Sequence, residues 1–111
     1  MPAQILLQQA GPLPIQVQFE SPVSYGDVVF CVSATAWSTN TNTPIGVTVY
    51  LDGDPIGTVD LFSNQPSEHR TLPLEFIPAK LPYGTRTLAL GASTGETVSD
   101  ANDRYSVCLI Y

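Results

Sequence analysis

The sequence predicts an all-β fold, an antiparallel β-sandwich of about seven strands with Greek-key connections. Three observations carry that expectation. Helical periodicity is absent along the 111 residues. The apolar runs alternate with period two and favour Val, Ile, Thr, Tyr and Phe. Ten prolines and eight glycines punctuate those runs, as short strands joined by tight turns require. Hydrophobic residues make up 43% of the chain, enough to close a core at this length and to argue against disorder.

Each strand has its own justification. Ile5–Gln9 and Ile15–Phe19 read as one interrupted edge strand, because Pro12 and Pro14 between them cannot donate to a ladder. Residues 1–14 are therefore expected as an N-terminal arm or edge strand, and 15–111 as the sandwich. Val28–Trp37 alternates strongly, with Val28, Phe30, Val32 and Ala34 inward and Phe30 and Trp37 as large core anchors. Asp52-Gly53 supplies the positive φ of a tight hairpin, so Gly46–Asp52 and Gly57–Phe62 should pair antiparallel. Ser63–Glu68 is a polar connection leading to a strand over Arg70–Phe76. Gly84 turns the chain into Thr85–Ala92, with Leu88 and Leu90 inward, and Asp100–Asp103 turns it into Tyr105–Tyr111.

Cys31 and Cys108 both fall on the outward parity of their strands. A disulfide between them would close a long loop and add about 4 kcal/mol. The two outer faces of a sandwich point apart, however, which favours two free thiols. Neither cysteine has a Cys or His at metal-ligand spacing.

The charge balance, 4 Lys+Arg against 10 Asp+Glu, excludes nucleic acid and anionic membrane surfaces as partners, and no run is long enough for membrane insertion. Eleven Thr and nine Ser do the solubilising, an extracellular style of surface. Met1–Ala10 lacks the basic start and long apolar centre of a signal peptide, so the expectation is a domain cut from a longer chain or one placed by assembly. No Asn-x-Ser/Thr sequon occurs, which points to a prokaryotic or viral source.

The order Ser21-Pro22-x-x-x-Gly26-x-Val28, Val32-x-Ala34, Ile45-x-Val47-x-Val49-x-Leu51-Asp52-Gly53-x-Pro55-Ile56-Gly57 and Leu81-x-x-Gly84-Thr85-x-Thr87-Leu88 resembles bacterial immunoglobulin-like domains. The match runs over about Phe19 to Ile110, and its motifs specify fold better than function. It departs from the family at Arg86, where members often carry His, in its short acidic stretch before the last strand, and in both cysteines. Pro2–Leu13 lies outside it. The resemblance implies an immunoglobulin-like sandwich used as a module of secreted or surface proteins.

Three chemistries have candidate residues. His69 is the only histidine, and no nucleophile motif accompanies it, so no enzymatic role is expected. Asp100, Asn102 and Asp103 form an acidic turn, similar to the Asp-x-Asn-Asp element of cadherins, that could offer oxygens to calcium. Asp52 and Asp54 form a second acidic pair. Asp and Asn also open turns by bonding their own backbone, which explains both sites without an ion. Trp37, Tyr50 and Tyr83, with Tyr25, would make a carbohydrate-stacking platform if they shared an exposed face. The first expectation is a non-catalytic structural or adhesion module of a bacterial extracellular or cell-surface protein, contacting neighbouring domains or copies of itself. The alternative is a self-assembling component of a virion or surface filament, and the third is a carbohydrate-binding accessory domain with polysaccharide as partner.

Overall fold

The computed structural model describes residues 2–111, which form nine strands and no helix. They are β1 (Ala3–Ala10), β2 (Ile15–Glu20), β3 (Tyr25–Ala36), β4 (Thr43–Leu51), β5 (Asp54–Ser63), β6 (Arg70–Thr71), β7 (Glu75–Pro82), β8 (Thr85–Ala92) and β9 (Arg104–Ile110). One sheet, here sheet A, has the order β1-β9-β3, with β7 along most of the far side of β3 and β6 against its last two residues. Sheet B has the order β2-β8-β4-β5, and every pairing is antiparallel. The fold is thus an all-β, antiparallel Greek-key sandwich, with nine strands where about seven were expected. Among the eight longer strands, the chain changes sheet at every connection except the β4–β5 hairpin, which is the strand order of a jelly roll.

Two prolines explain the first crossing. Pro12 and Pro14 interrupt pairing between β1 and β2, and the two strands edge different sheets, β1 beside β9 and β2 beside β8. The strand expected over Arg70–Phe76 is broken at Pro73. Only Arg70–Thr71 pairs, Leu72 N donates to Ala34 O (2.9 Å), and the chain resumes as β7 from Glu75. Pro78 and Pro82 are tolerated there because β7 is an edge strand with β3 on one side only.

The core lies where the alternation put it. Val28, Phe30, Val32 and Ala34 of β3 face Ile45, Val47 and Val49 of β4 and Leu88 and Leu90 of β8, all buried. From β9, Tyr105, Val107 and Leu109 complete it, and Tyr105 is the largest fully buried side chain. Trp37 is a correction to the expected core: it shares the outward parity of Ser33 and Thr35 and sits half-buried at the end of the sandwich, bridged to Val98. The Asp52-Gly53 hairpin forms as expected, with φ of 52° and 87° between paired Leu51 and Asp54. The molecule is 45 Å long and about half as wide. At one end meet the β1–β2, β3–β4, β5–β6 and β8–β9 connections, and the candidate site is there.

Candidate functional site

The β8–β9 loop is folded on itself by its acidic residues. Asp100 N donates to Asp103 Oδ2 (2.9 Å), Asn102 N to Asp100 Oδ1 (2.8 Å), and Asp103 N to Asp100 O (3.1 Å). This is the local bonding by which Asp and Asn start turns. It drives the Asp103 side chain inward, to zero exposure. There Oδ1 accepts from Thr35 Oγ1 (2.8 Å) and from His69 Nδ1 (2.8 Å), so a buried carboxylate is matched by three donors. The hydrogen bond to Asp103 pushes the His69 imidazole above its usual range, with Asp103 and Asp100 adding attraction against some desolvation. His69 Nε2 faces Asp100 Oδ2 at 3.8 Å. Both ring nitrogens therefore face carboxylates, the geometry of an ion pair rather than of a base aimed at a nucleophile. The Trp37 ring packs tilted against His69, with centroids 5.5 Å apart.

Thr35 joins this cluster to a groove. Its hydroxyl donates to Asp103 and accepts from Arg104 N (3.0 Å), which fixes it at the junction of β3 and β9. The outer face of sheet A next to it holds an open groove of about 310 Å³, lined by Gln8, Gln9, Ser33, Thr35, Arg104 and Ser106. The register explains the set: Ser106 of β9 pairs with Gln8 on one side and Ser33 on the other, and Ala10 and Arg104 pair one step further on the same face. Arg104 has no carboxylate partner among the described residues. Tyr105 contributes to the floor, and its hydroxyl bonds Ser99. Burial pushes that phenol up to about 12, so it stays protonated. Gly11 packs against the β8–β9 loop. Its N donates to Asp103 O (2.9 Å), and an added Cβ would meet Asp100 O at 2.5 Å.

The residues singled out from the sequence are distributed unevenly. Asp100 and Asp103 do converge, and His69 joins them: one ligand atom from each of the three lies within 4.8 Å of the others. Two carboxylates already engaged by donors, plus an imidazole, fall short of the six to eight oxygens that calcium takes. Asp52 is occupied elsewhere, accepting from Thr87 N (2.9 Å) and pairing with Arg86 (3.2 Å). The aromatic platform is not assembled. Tyr83 is exposed in the β7–β8 turn, near Tyr25 at the start of β3, and Trp37 follows the other end of that 12-residue strand, roughly 40 Å away. Tyr50 is on the outer face of sheet B, against Gly91.

Cys31 and Cys108 are free, half-buried thiols. The expectation that they point apart is corrected: both strands belong to sheet A, and the two cysteines are direct cross-strand partners on one outer face. His69 was weighed only as a catalytic base, and the groove residues Gln8, Ser33, Thr35, Arg104 and Ser106 escaped the sequence reading. Their outward parity was legible, but the pairing of β1, β9 and β3 that gathers them joins the two ends of the chain.

No family model matches the chain, and no curated protein matches it in sequence. Solved structures do match in fold. A CBM35 from Cellvibrio japonicus Abf62 aligns at TM-score 0.57 and 16% identity over 92% of this chain and 67% of its own. A native family 35 carbohydrate-binding module from Clostridium thermocellum aligns at TM-score 0.55 and 13% identity, covering 96% and 86%. The C-terminal domain of EclA, described as a sugar-binding protein, aligns at TM-score 0.52 and 18% identity, covering 97% and 76%.

Proposed function

We propose that the chain is a non-catalytic carbohydrate-binding module of a bacterial extracellular or surface protein, and that the glycan lies in the groove on sheet A. The observation that carries this reading is the lining. Two primary amides, the Ser33 and Ser106 hydroxyls and the Arg104 guanidinium line a single open concavity, beside Thr35, whose hydroxyl is already held between Asp103 and Arg104 N. Amides and guanidinium groups address adjacent sugar hydroxyls in pairs, and Ser and Thr hydroxyls both donate and accept. The buried Asp103 holds Thr35, and through it the Arg104 backbone, in one arrangement before ligand arrives. Sandwich neighbours that carry sugar-binding names support the reading at the level of fold only. No metal is assigned a part in it.

The test is a polysaccharide panel followed by calorimetry on the best binder. Arg104→Ala is expected to weaken binding about tenfold or more, the order of one charge-assisted hydrogen bond. Tyr50→Ala and Tyr83→Ala are expected to leave it unchanged, and so is a calcium chelator. Trp37 lies two residues beyond Thr35 on the same parity, so its emission should respond to a bound glycan. If no glycan binds, the carbohydrate reading falls. The structural or adhesion module then takes its place, favoured by the exposed Ile5 and Phe76 on the same sheet face.

A further inference from the structure

Cys31 on β3 and Cys108 on β9 are partners in register, and the backbone pattern fixes what kind of pair they are. In an antiparallel sheet, the N–H and C=O of one residue point to the same neighbour, and successive residues alternate between neighbours. On β3, Ala34 O accepts from Leu72 N on the β6–β7 side, while Trp37, of the other parity, exchanges both bonds with Val98 of the β8–β9 loop on the opposite side. Odd residues of β3, Cys31 among them, therefore point to β9. On β9, Asp103 O and Tyr111 N bond Gly11 and Pro2 on the β1 side, so even residues, Cys108 among them, point to β3. Cys31 and Cys108 thus form a hydrogen-bonded pair, whose Cα atoms stand about 5.5 Å apart, inside the range a disulfide spans. Their Cβ atoms, at the wide end of about 4.5–5.5 Å for facing residues, are farther apart than the 3.5–4.5 Å of a relaxed disulfide.

We propose that Cys31 and Cys108 are a reversible dithiol–disulfide site on the outer face of sheet A, oxidised by low-molecular-weight disulfides such as oxidised glutathione. One cysteine thiolate attacks the reagent's S–S bond, forming a mixed disulfide and releasing one thiol. The facing thiolate attacks the protein sulfur of that mixed disulfide, forming the cross-strand bond and releasing the second thiol. The two protons of the cysteines end on the two released thiols; the protein pair loses two electrons and the reagent gains them. The half-buried setting fits a slow site, since burial and the facing Cys108 push the Cys31 thiol up. Closure must draw β3 and β9 together, and a bond made under that strain is more easily reduced than a relaxed one. Ser33 and Ser106 of the groove are the next pair on the same face of these strands.

The experiment equilibrates the reduced protein, without oxygen, across a series of reduced-to-oxidised glutathione ratios. It then traps remaining thiols by alkylation and reads the intact mass. Both alkylation sites should disappear in one step, a proteolytic map should join the Cys31 and Cys108 peptides, and millimolar reduced glutathione should restore both thiols. Cys31→Ser and Cys108→Ser should each stop at a mixed glutathione disulfide. Accumulation of a stable mixed disulfide in the native sequence would overturn the proposal, because the second thiol would then be out of reach. A bond that excess glutathione leaves intact would overturn its reversibility. The peptide map on the native sequence decides the matter even if a serine variant folds poorly.

Discussion

Asp103 is the one charged side chain buried outright among the described residues. Its carboxylate is matched by Thr35, His69 and its own loop amide. Asp103→Ala would orphan the Thr35 hydroxyl and the Asp100 N–H and remove the partner of His69. A loss of about 3 kcal/mol is expected, read as a lower denaturant midpoint at unchanged slope. The pH dependence follows from the raised His69 value. Protonated His69 is favoured by the fold, so its stabilising contribution is complete below the unfolded value of about 6.5. It is lost as pH rises through the higher folded value. The melting temperature should therefore fall between about pH 6 and pH 8 more in the native sequence than in His69→Asn. Equal slopes in the two would mean that the contact with Asp103 is not charged.

At the scale of elements, the β4–β5 hairpin and the β1–β2 crossing make contrasting demands on glycine. Gly53 sits at φ 87° in the Asp-Gly turn, where a side chain has open space but an unfavourable backbone, so Gly53→Ala should cost about 1 kcal/mol. Gly11 has no such torsion. An alanine there would press on Asp100 O and Ser99 Oγ, loosening the loop that holds Asp103, and should both lower the melting temperature and weaken glycan binding. The same contrast explains what could be read in advance. Asp52-Gly53 was legible because its chemistry is local, and the inward parity of Phe30, Val32, Leu88 and Leu90 because period-two alternation is local too. The meeting of Gln8, Ser33 and Ser106, and of Cys31 with Cys108, depends on which strands become neighbours. Parity says which way a side chain points and nothing about what lies beside it. Tyr105 shows a milder limit: its inward parity was clear, yet its rank as the largest buried side chain depended on Trp37 staying outward.

For the whole molecule, the open question is whether the sandwich stands alone or adds copies of itself through its four edge strands. Each edge carries a device against pairing. β1 has an irregularity between Ile5 and Leu7, and β2 starts directly after Pro14. β5 holds Asp54, Pro55 and Asp60, and β7 holds Pro78, Lys80 and Pro82. A net charge of −6 on so small a body adds mutual repulsion at close range. Against these stand Ile5 and Phe76, exposed at 63% and 58% on the outer face of sheet A, at the two ends of the row that contains Cys108 and Cys31. The half-buried cysteines are small, so the large apolar surface is split into two patches rather than joined into one. The expected result by size exclusion with light scattering is a single species near 11.9 kDa from micromolar to about 100 μM under reducing conditions. A mass that climbs with concentration would return the chain to the self-assembling reading, and Phe76→Ser would then separate the two routes. Association through the sheet face should vanish in that variant, because its larger patch is gone. Association through edge strands should persist, because the substitution leaves every unpaired backbone group where it was.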